Sequence, residues 1–315
     1  MTTQPMASSR KKDIIKSKLL TFTPEEVIQN NISVQNFIYK TEDEKKKWIE
    51  ETTIKIAEWR QIFLSTYARW ALSINGLNLA NEKYSSPDFY TKKQFVVTSI
   101  RSSKIDETKP ERKVIITWDG KTAGEQHIKS VNYISEFGII DLYSALEEFV
   151  FDIYKIFLNS NPENLLKGSE YKDLRKLYRD KDTSEEINNK WKTEWEKRLN
   201  SWHRKKLYDG LSKVFLSYCN EANLKAPSHY KTTTPVTWAD NIEFIAMIRN
   251  HLVHGATKVD KVLGEFSNAR PWIPNVFKEG DELNLTLNHL ENVELFMAQI
   301  CDAVNFALIE QTTKK

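Results

Sequence analysis

Trp238-Ala239-Asp240-Asn241-Ile242-Glu243-Phe244-Ile245-Ala246-Met247-Ile248-Arg249-Asn250-His251-Leu252-Val253-His254-Gly255 sets Trp238, Ile242, Ile245, Ile248 and Leu252 three or four positions apart. That spacing makes one apolar stripe, the mark of an amphipathic helix packed on a core. Gly255 suits the place just past a helix end, where a left-handed residue is needed, so the pattern predicts a helix from near Trp238 to His254. In its last turns Asn250 and His254 are four apart and share a face, while Arg249, rotated by about 100°, flanks them. The negative end of the helix dipole is a setting suited to a proton carrier such as His254.

Other amphipathic segments surround this one. Thr41 with Glu44 repeats a helix-capping pattern and opens a long helix with Ile56, Trp59, Phe63, Trp70, Ile74 and Leu77 on one stripe. Such an aromatic face packs on another helix or on a second copy of the chain. From Ile139 the residues Leu142, Leu146, Phe149, Ile153 and Phe157 form one of the strongest stripes, ended by the Asn159 to Pro162 segment. Leu207, Leu211, Val214, Phe215 and Tyr218 predict a further helix. Asn288 with Glu291 caps a final one, which carries Leu290, Val293, Met297, Ile300, Val304 and Leu308. Thr23-Pro24-Glu25-Glu26 is another helix start, behind a polar, basic tail at residues 1–12.

Short β-branched runs interrupt the helices. Phe95-Val96-Val97 and Val114-Ile115-Ile116-Thr117-Trp118 read as strands, with a turn signal at Asp119-Gly120 and a polar loop from Arg101 to Arg112. Leu283, Leu285 and Leu287 alternate as a strand would. Lys225 to Pro235, with two prolines and three consecutive threonines, reads as a surface loop or the rim of a cleft. The expected fold class is therefore mainly α, a helical bundle with a small β appendage.

At 315 residues, 40% hydrophobic and 11% aromatic, the chain is long and apolar enough for a sizeable core. A net charge of +3 does not by itself mark a nucleic-acid binder. Residues 165–213 differ, with 14 Lys plus Arg against 9 Asp plus Glu. Within them Trp191, Trp195, Leu199 and Trp202 make a tryptophan-rich face, and Arg204-Lys205-Lys206 a basic knot. Cations interleaved with aromatics hold phosphates and stack bases. Buried tryptophans under a solvated face are the commoner outcome, so the knot is the preferred RNA contact. Cys219 and Cys301 lie on apolar faces and read as reduced core residues of a cytoplasmic protein. Lysines in Ile14-Ile15-Lys16-Ser17-Lys18 break any signal-peptide core, and no apolar run approaches a membrane span.

No Gly-rich phosphate loop, G-x-S-x-G elbow, H-E-x-x-H or kinase signature occurs in the sequence. Arg249, Asn250 and His254 remain, a fixed cation, a positioner and a proton carrier. Cutting RNA through its own 2′-hydroxyl needs these and no cofactor. Glu147 lies beside the Leu142 stripe, either drawn inward toward a cation such as Arg249 or meeting solvent as a boundary carboxylate. His251 is a secondary proton carrier. It makes only a weak zinc pair with His254, because no acidic or cysteine ligand stands nearby in sequence.

The run RNHLVH resembles the R-x(4–6)-H motif of the HEPN superfamily (higher eukaryotes and prokaryotes nucleotide-binding), in which asparagine often follows the arginine. Ser144-Ala145-Leu146-Glu147-Glu148-Phe149 resembles that family's first core helix, and the Leu290 to Leu308 helix its last. The resemblance covers about residues 135 to 312. It implies a HEPN-like domain at 135–315 with a charged helical insert at about 165–213, behind an N-terminal extension at 1–134. It also implies a metal-independent endoribonuclease acting as a homodimer with a composite site, in antiviral defence or toxin-like growth control. Transfer RNA is among its candidate substrates, and an antitoxin or sensor protein among its partners. The alternative is a non-catalytic module that binds RNA, a nucleotide or a protein.

Overall fold

The computed structural model describes residues 36–105 and 108–313, so the tail at 1–12 and the helix start at Thr23 lie outside the described residues. The chain is mainly helical. Helices α1 (Lys47–Tyr84) and α2 (Pro87–Tyr90) precede strands β1 (Gln94–Ser102) and β2 (Pro110–Asp119), which are followed by α3 (Gly120–Ser160). Then come α4 (Lys172–Asp180), α5 (Glu185–Lys206), α6 (Leu211–Glu221), α7 (Pro235–Val253), α8 (Lys261–Asn268) and α9 (Leu287–Thr313). Two compact units divide it, one of residues 67–138 and 284–291, the other of 36–66, 139–283 and 292–313.

In the first unit β1 and β2 pair antiparallel, Phe95 opposite Trp118 and Ile100 opposite Arg112, with a bulge at Val97/Thr98. The strands take in both ends of the polar segment read as a loop, because ladder hydrogen bonds are indifferent to side-chain polarity. Phe95 and Trp118 stack at 6.0 Å, and Tyr84 packs on Phe95 at 5.2 Å and flat on His127 at 5.2 Å. Asp119-Gly120 is no hairpin turn. The Asp119 carboxylate accepts from the Thr122 N–H at 2.8 Å and from its hydroxyl, so the pair caps α3 instead. The 134/135 boundary consequently falls inside a 41-residue helix.

Thr286, not Asn288, serves the start of α9. Its N–H donates to His289 Nδ1 at 3.0 Å, and its hydroxyl lies 2.9 Å from the same nitrogen. Burial lowers the His289 pKa from 6.5. A depressed histidine contributes stability that is present above the unfolded value and lost as pH falls through the folded one. Burial raises Glu136, Glu147 and Glu294, whose contributions run the other way, present below 4.5 and lost as pH rises through their folded values. The comparison that isolates the histidine is with His289→Gln. From about pH 8 to about pH 5 the urea midpoint should fall further in the parent than in the variant.

The second unit is built on the expected stripe: Leu142, Leu146, Phe149 and Ile153 of α3 are fully buried. Phe149 meets Trp59 and Phe63 of α1 edge-on at 6.4 and 5.7 Å, and Trp59 Nε1 donates to Asp152 at 3.0 Å. Tyr154 packs on Trp202 of α5 at 4.9 Å and on Tyr218 of α6 at 5.5 Å. Arg60 of α1 pairs with Asp302 of α9 at 2.7 Å. Trp191, Trp195 and Trp202 are all buried, which removes them as a stacking platform.

Asp43, not Thr41, caps the first turn, because its carboxylate accepts from Lys45 N–H at 3.0 Å while Thr41 supports Asp43. Leu207 is exposed and lies before α6, since Gly210 at φ +83° turns the chain between it and Leu211. Leu283, Leu285 and Leu287 are buried but form no strand: Leu287 opens α9, and among the described residues the pairing beside this segment is an isolated bridge, Lys258 to Glu282. Helix α9 is long and apolar enough by composition to cross a membrane, yet 56% of its most apolar window is buried, as in a core helix.

Candidate functional site

Helix α7 begins at a full capping box. The Thr234 hydroxyl accepts from Thr237 N–H, the Thr237 hydroxyl accepts from Thr234 N–H, and Pro235 occupies the first turn. Trp238, Ile242, Ile245 and Ile248 are buried as their spacing predicts. The helix closes in a Schellman motif, Ala256 N–H on His251 carbonyl at 2.9 Å and Gly255 N–H on Leu252 carbonyl at 3.1 Å. Gly255 adopts φ +69°. A Cβ there would meet nothing within 4 Å, so only backbone strain opposes a side chain. Gly255→Ala should therefore cost about 1–2 kcal/mol in chemical denaturation, and Gly255→Asn less.

Within this frame Arg249 is half-buried and Asn250 exposed. The guanidinium donates from one terminal nitrogen to Asn250 Oδ1 at 3.1 Å and lies over the Tyr143 ring of α3, 5.8 Å from its centre. Among the described residues no carboxylate comes within ion-pair distance of it, and Glu147 feels its charge from further off. Glu147, one turn along α3 from Tyr143, is half-buried. Burial raises its carboxyl above the ordinary value, the Arg249 charge draws it back down, and Glu148 pushes it up again. Tyr143 is pushed up to about 12, by burial first and then by Glu147 and Glu243, against Arg249.

His254 is the exposed residue that ends α7, its N–H on the Asn250 carbonyl at 3.0 Å. No hydrogen bond to its ring forms among the described residues. On an ideal helix, five positions from Arg249 amount to about 140° of rotation and about 7.5 Å of rise. The two side chains thus leave the helix end in different directions.

His251 is turned inward. Its Nδ1 lies 2.8 Å from the Met247 carbonyl and its Nε2 3.2 Å from Asp260, the residue that caps α8. Both ring nitrogens are occupied, which suits a brace for the chain after Gly255 better than a proton shuttle. Asp260 also supplies a carboxylate beside His251 that the sequence spacing conceals.

The structure adds Tyr143, Glu243 and Ser212. The Ser212 hydroxyl, on the first turn of α6, donates to Glu243 at 2.5 Å. Tyr143 was findable as the i−4 neighbour of Glu147, but Ser212 carries no sequence signal at all. Arg204 and Lys205 are exposed at the end of α5, whereas Lys206 is paired with Asp209 at 2.7 Å. No protein-family model, curated protein or solved structure matches this chain.

Proposed function

We propose that this chain is a metal-independent endoribonuclease of HEPN-like type. The observation that carries the reading is the Arg249 guanidinium, hydrogen-bonded to Asn250 and lying over Tyr143, with no carboxylate within ion-pair distance among the described residues, and five positions from an exposed histidine. In the reaction the 2′-oxygen of RNA attacks phosphorus, the bond to the 5′-oxygen breaks, and the products end in 2′,3′-cyclic phosphate and 5′-hydroxyl. His254 moves a proton at one of the two oxygens, and Arg249 takes the charge on the phosphoryl oxygens with its planar donors. Asn250 positions the guanidinium. Glu147 and Tyr143 set its surroundings.

A single histidine serves one oxygen at a time. A two-fold dimer would supply a second Arg249, Asn250 and His254 to the same cleft, one imidazole acting as base and the other as acid. Light scattering should show a dimer in the active fraction, and a fully active monomer would overturn that part. An exposed RNA-cutting site, with transfer RNA among its candidate substrates, fits toxin-like growth control or antiviral defence, held off by an antitoxin or sensor.

A second reading, a non-catalytic module for RNA, nucleotide or protein, is favoured by one feature. Nothing among the described residues orients the His254 ring, whereas a working base is ordinarily held by a third group. Incubation of purified chain with total cellular and transfer RNA in EDTA decides between them. Cyclic-phosphate ends support the nuclease, and binding without cutting supports the module.

A further inference from the structure

Resting on that reading, we infer that Tyr208 stacks on an unpaired base, and that single-stranded RNA enters along the turn between α5 and α6. Tyr208 is 91% exposed, and among the described residues its ring packs on no other aromatic. Its backbone is not loose. Leu207 N–H donates to His203 carbonyl at 3.1 Å, Tyr208 N–H to Lys205 carbonyl at 3.3 Å and Asp209 N–H to Lys206 carbonyl at 3.1 Å. Gly210 at φ +83° completes the turn.

Both ends of this turn are fastened to the helices of the candidate site. On the α5 side Trp202 packs on Tyr154, and His203 on Phe151 at 4.2 Å, both partners belonging to α3. On the α6 side Ser212 is tied to Glu243 of α7. Tyr208 and Ser212 are four residue steps apart, a reach of at most about 14 Å. An aromatic ring presented to solvent on so braced a turn is a preorganised contact.

Charge identifies the occupant. Residues 204–213 carry Arg204, Lys205, Lys206 and Lys213 against Asp209 alone. Lys206 neutralises that acid at 2.7 Å, and hydrogen bonding to it, with Lys213 adding, lowers the Asp209 carboxyl. Arg204 and Lys205 are left exposed without an ion-pair partner among the described residues. A polyanion with accessible aromatic faces matches this surface. Bases in a duplex hide those faces in the stack, so the fit is to a single strand.

The test uses the full chain carrying His254→Ala, so that binding is read without cutting, and a short single-stranded RNA with 2-aminopurine at successive positions. Tyr208→Ala should weaken binding about tenfold or more and abolish the fluorescence change at one position, while Tyr208→Phe preserves both. The salt dependence of binding should stay as it was in Tyr208→Ala and flatten when Arg204 and Lys205 become glutamate. Duplex RNA should not distinguish Tyr208→Ala from its parent. Equal affinity of Tyr208→Ala and parent for the single strand, or equal losses on single strand and duplex, would overturn the inference. If the chain with His254 intact cuts RNA and Tyr208 proves irrelevant, the inference alone fails. If Tyr208-dependent binding is found without any cutting, only the catalytic reading fails, and absence of RNA binding in the parent ends both.

Discussion

Cleavage of RNA should fall by about 10²–10⁴-fold in His254→Ala, the range expected for loss of positioned proton transfer, with the fold intact. The side chain is exposed, ends its helix through backbone bonds alone, and makes no ring hydrogen bond among the described residues. Its removal should therefore move the urea midpoint by no more than an ordinary surface substitution, about 0.5 kcal/mol either way. Arg249→Ala should lose a comparable amount of activity, roughly 10²–10³-fold, by removing a preorganised cation. Arg249→Lys should not restore it, because an ammonium offers neither the planar fork nor the same seat over Tyr143. Activity surviving EDTA, together with 2′,3′-cyclic ends, completes the expected pattern. Folded His254→Ala cutting at the parent rate would sink the assignment of His254 as proton carrier.

The sequence was informative wherever burial follows periodicity, and misleading wherever a cap or turn depends on which oxygen reaches which N–H. The Leu142 to Phe157 stripe and the α7 stripe from Trp238 to Ile248 are buried as spaced, with Leu252 half-buried at the helix end, because a wide apolar face has one low-energy orientation. Asp119-Gly120 reads as a turn because aspartate both starts turns and caps helices, and only the position of Thr122 N–H distinguishes the two. The leucines at 283, 285 and 287 alternate like a strand, but Leu287 opens α9 and the other two meet no ladder among the described residues, which no local pattern reveals. At the site, Arg249, Asn250 and His254 stand together in the sequence because one helix end carries them. Tyr143 and Ser212, brought in from α3 and α6, depend on tertiary packing and are visible only in three dimensions. The inward turn of His251 toward Asp260 is of the same kind.

Phe149→Ala should be the most destabilising of the substitutions considered, about 3–5 kcal/mol, through lost transfer energy and the cavity left behind. The ring is fully buried on α3 and held edge-on against Trp59 and Phe63 of α1, so two neighbours on that helix lose contacts at once. Against a typical stability of about 5–15 kcal/mol that is a large fraction. Leu72→Ala, at 71% exposure, is the matched control and should change stability by about 0.5 kcal/mol or less. Equal urea midpoints for Phe149→Ala and Leu72→Ala would refute the packing described for α1 and α3. The pair also separates two ways of losing activity. Phe149 sits two residues from Glu147 and six from Tyr143 on the same helix, so its loss should remove RNA cleavage together with cooperative unfolding and in step with temperature. His254→Ala should lose cleavage at every temperature while melting like the parent. A protein in which both variants lose activity only on unfolding would be using the α7 end as structure and not as chemistry.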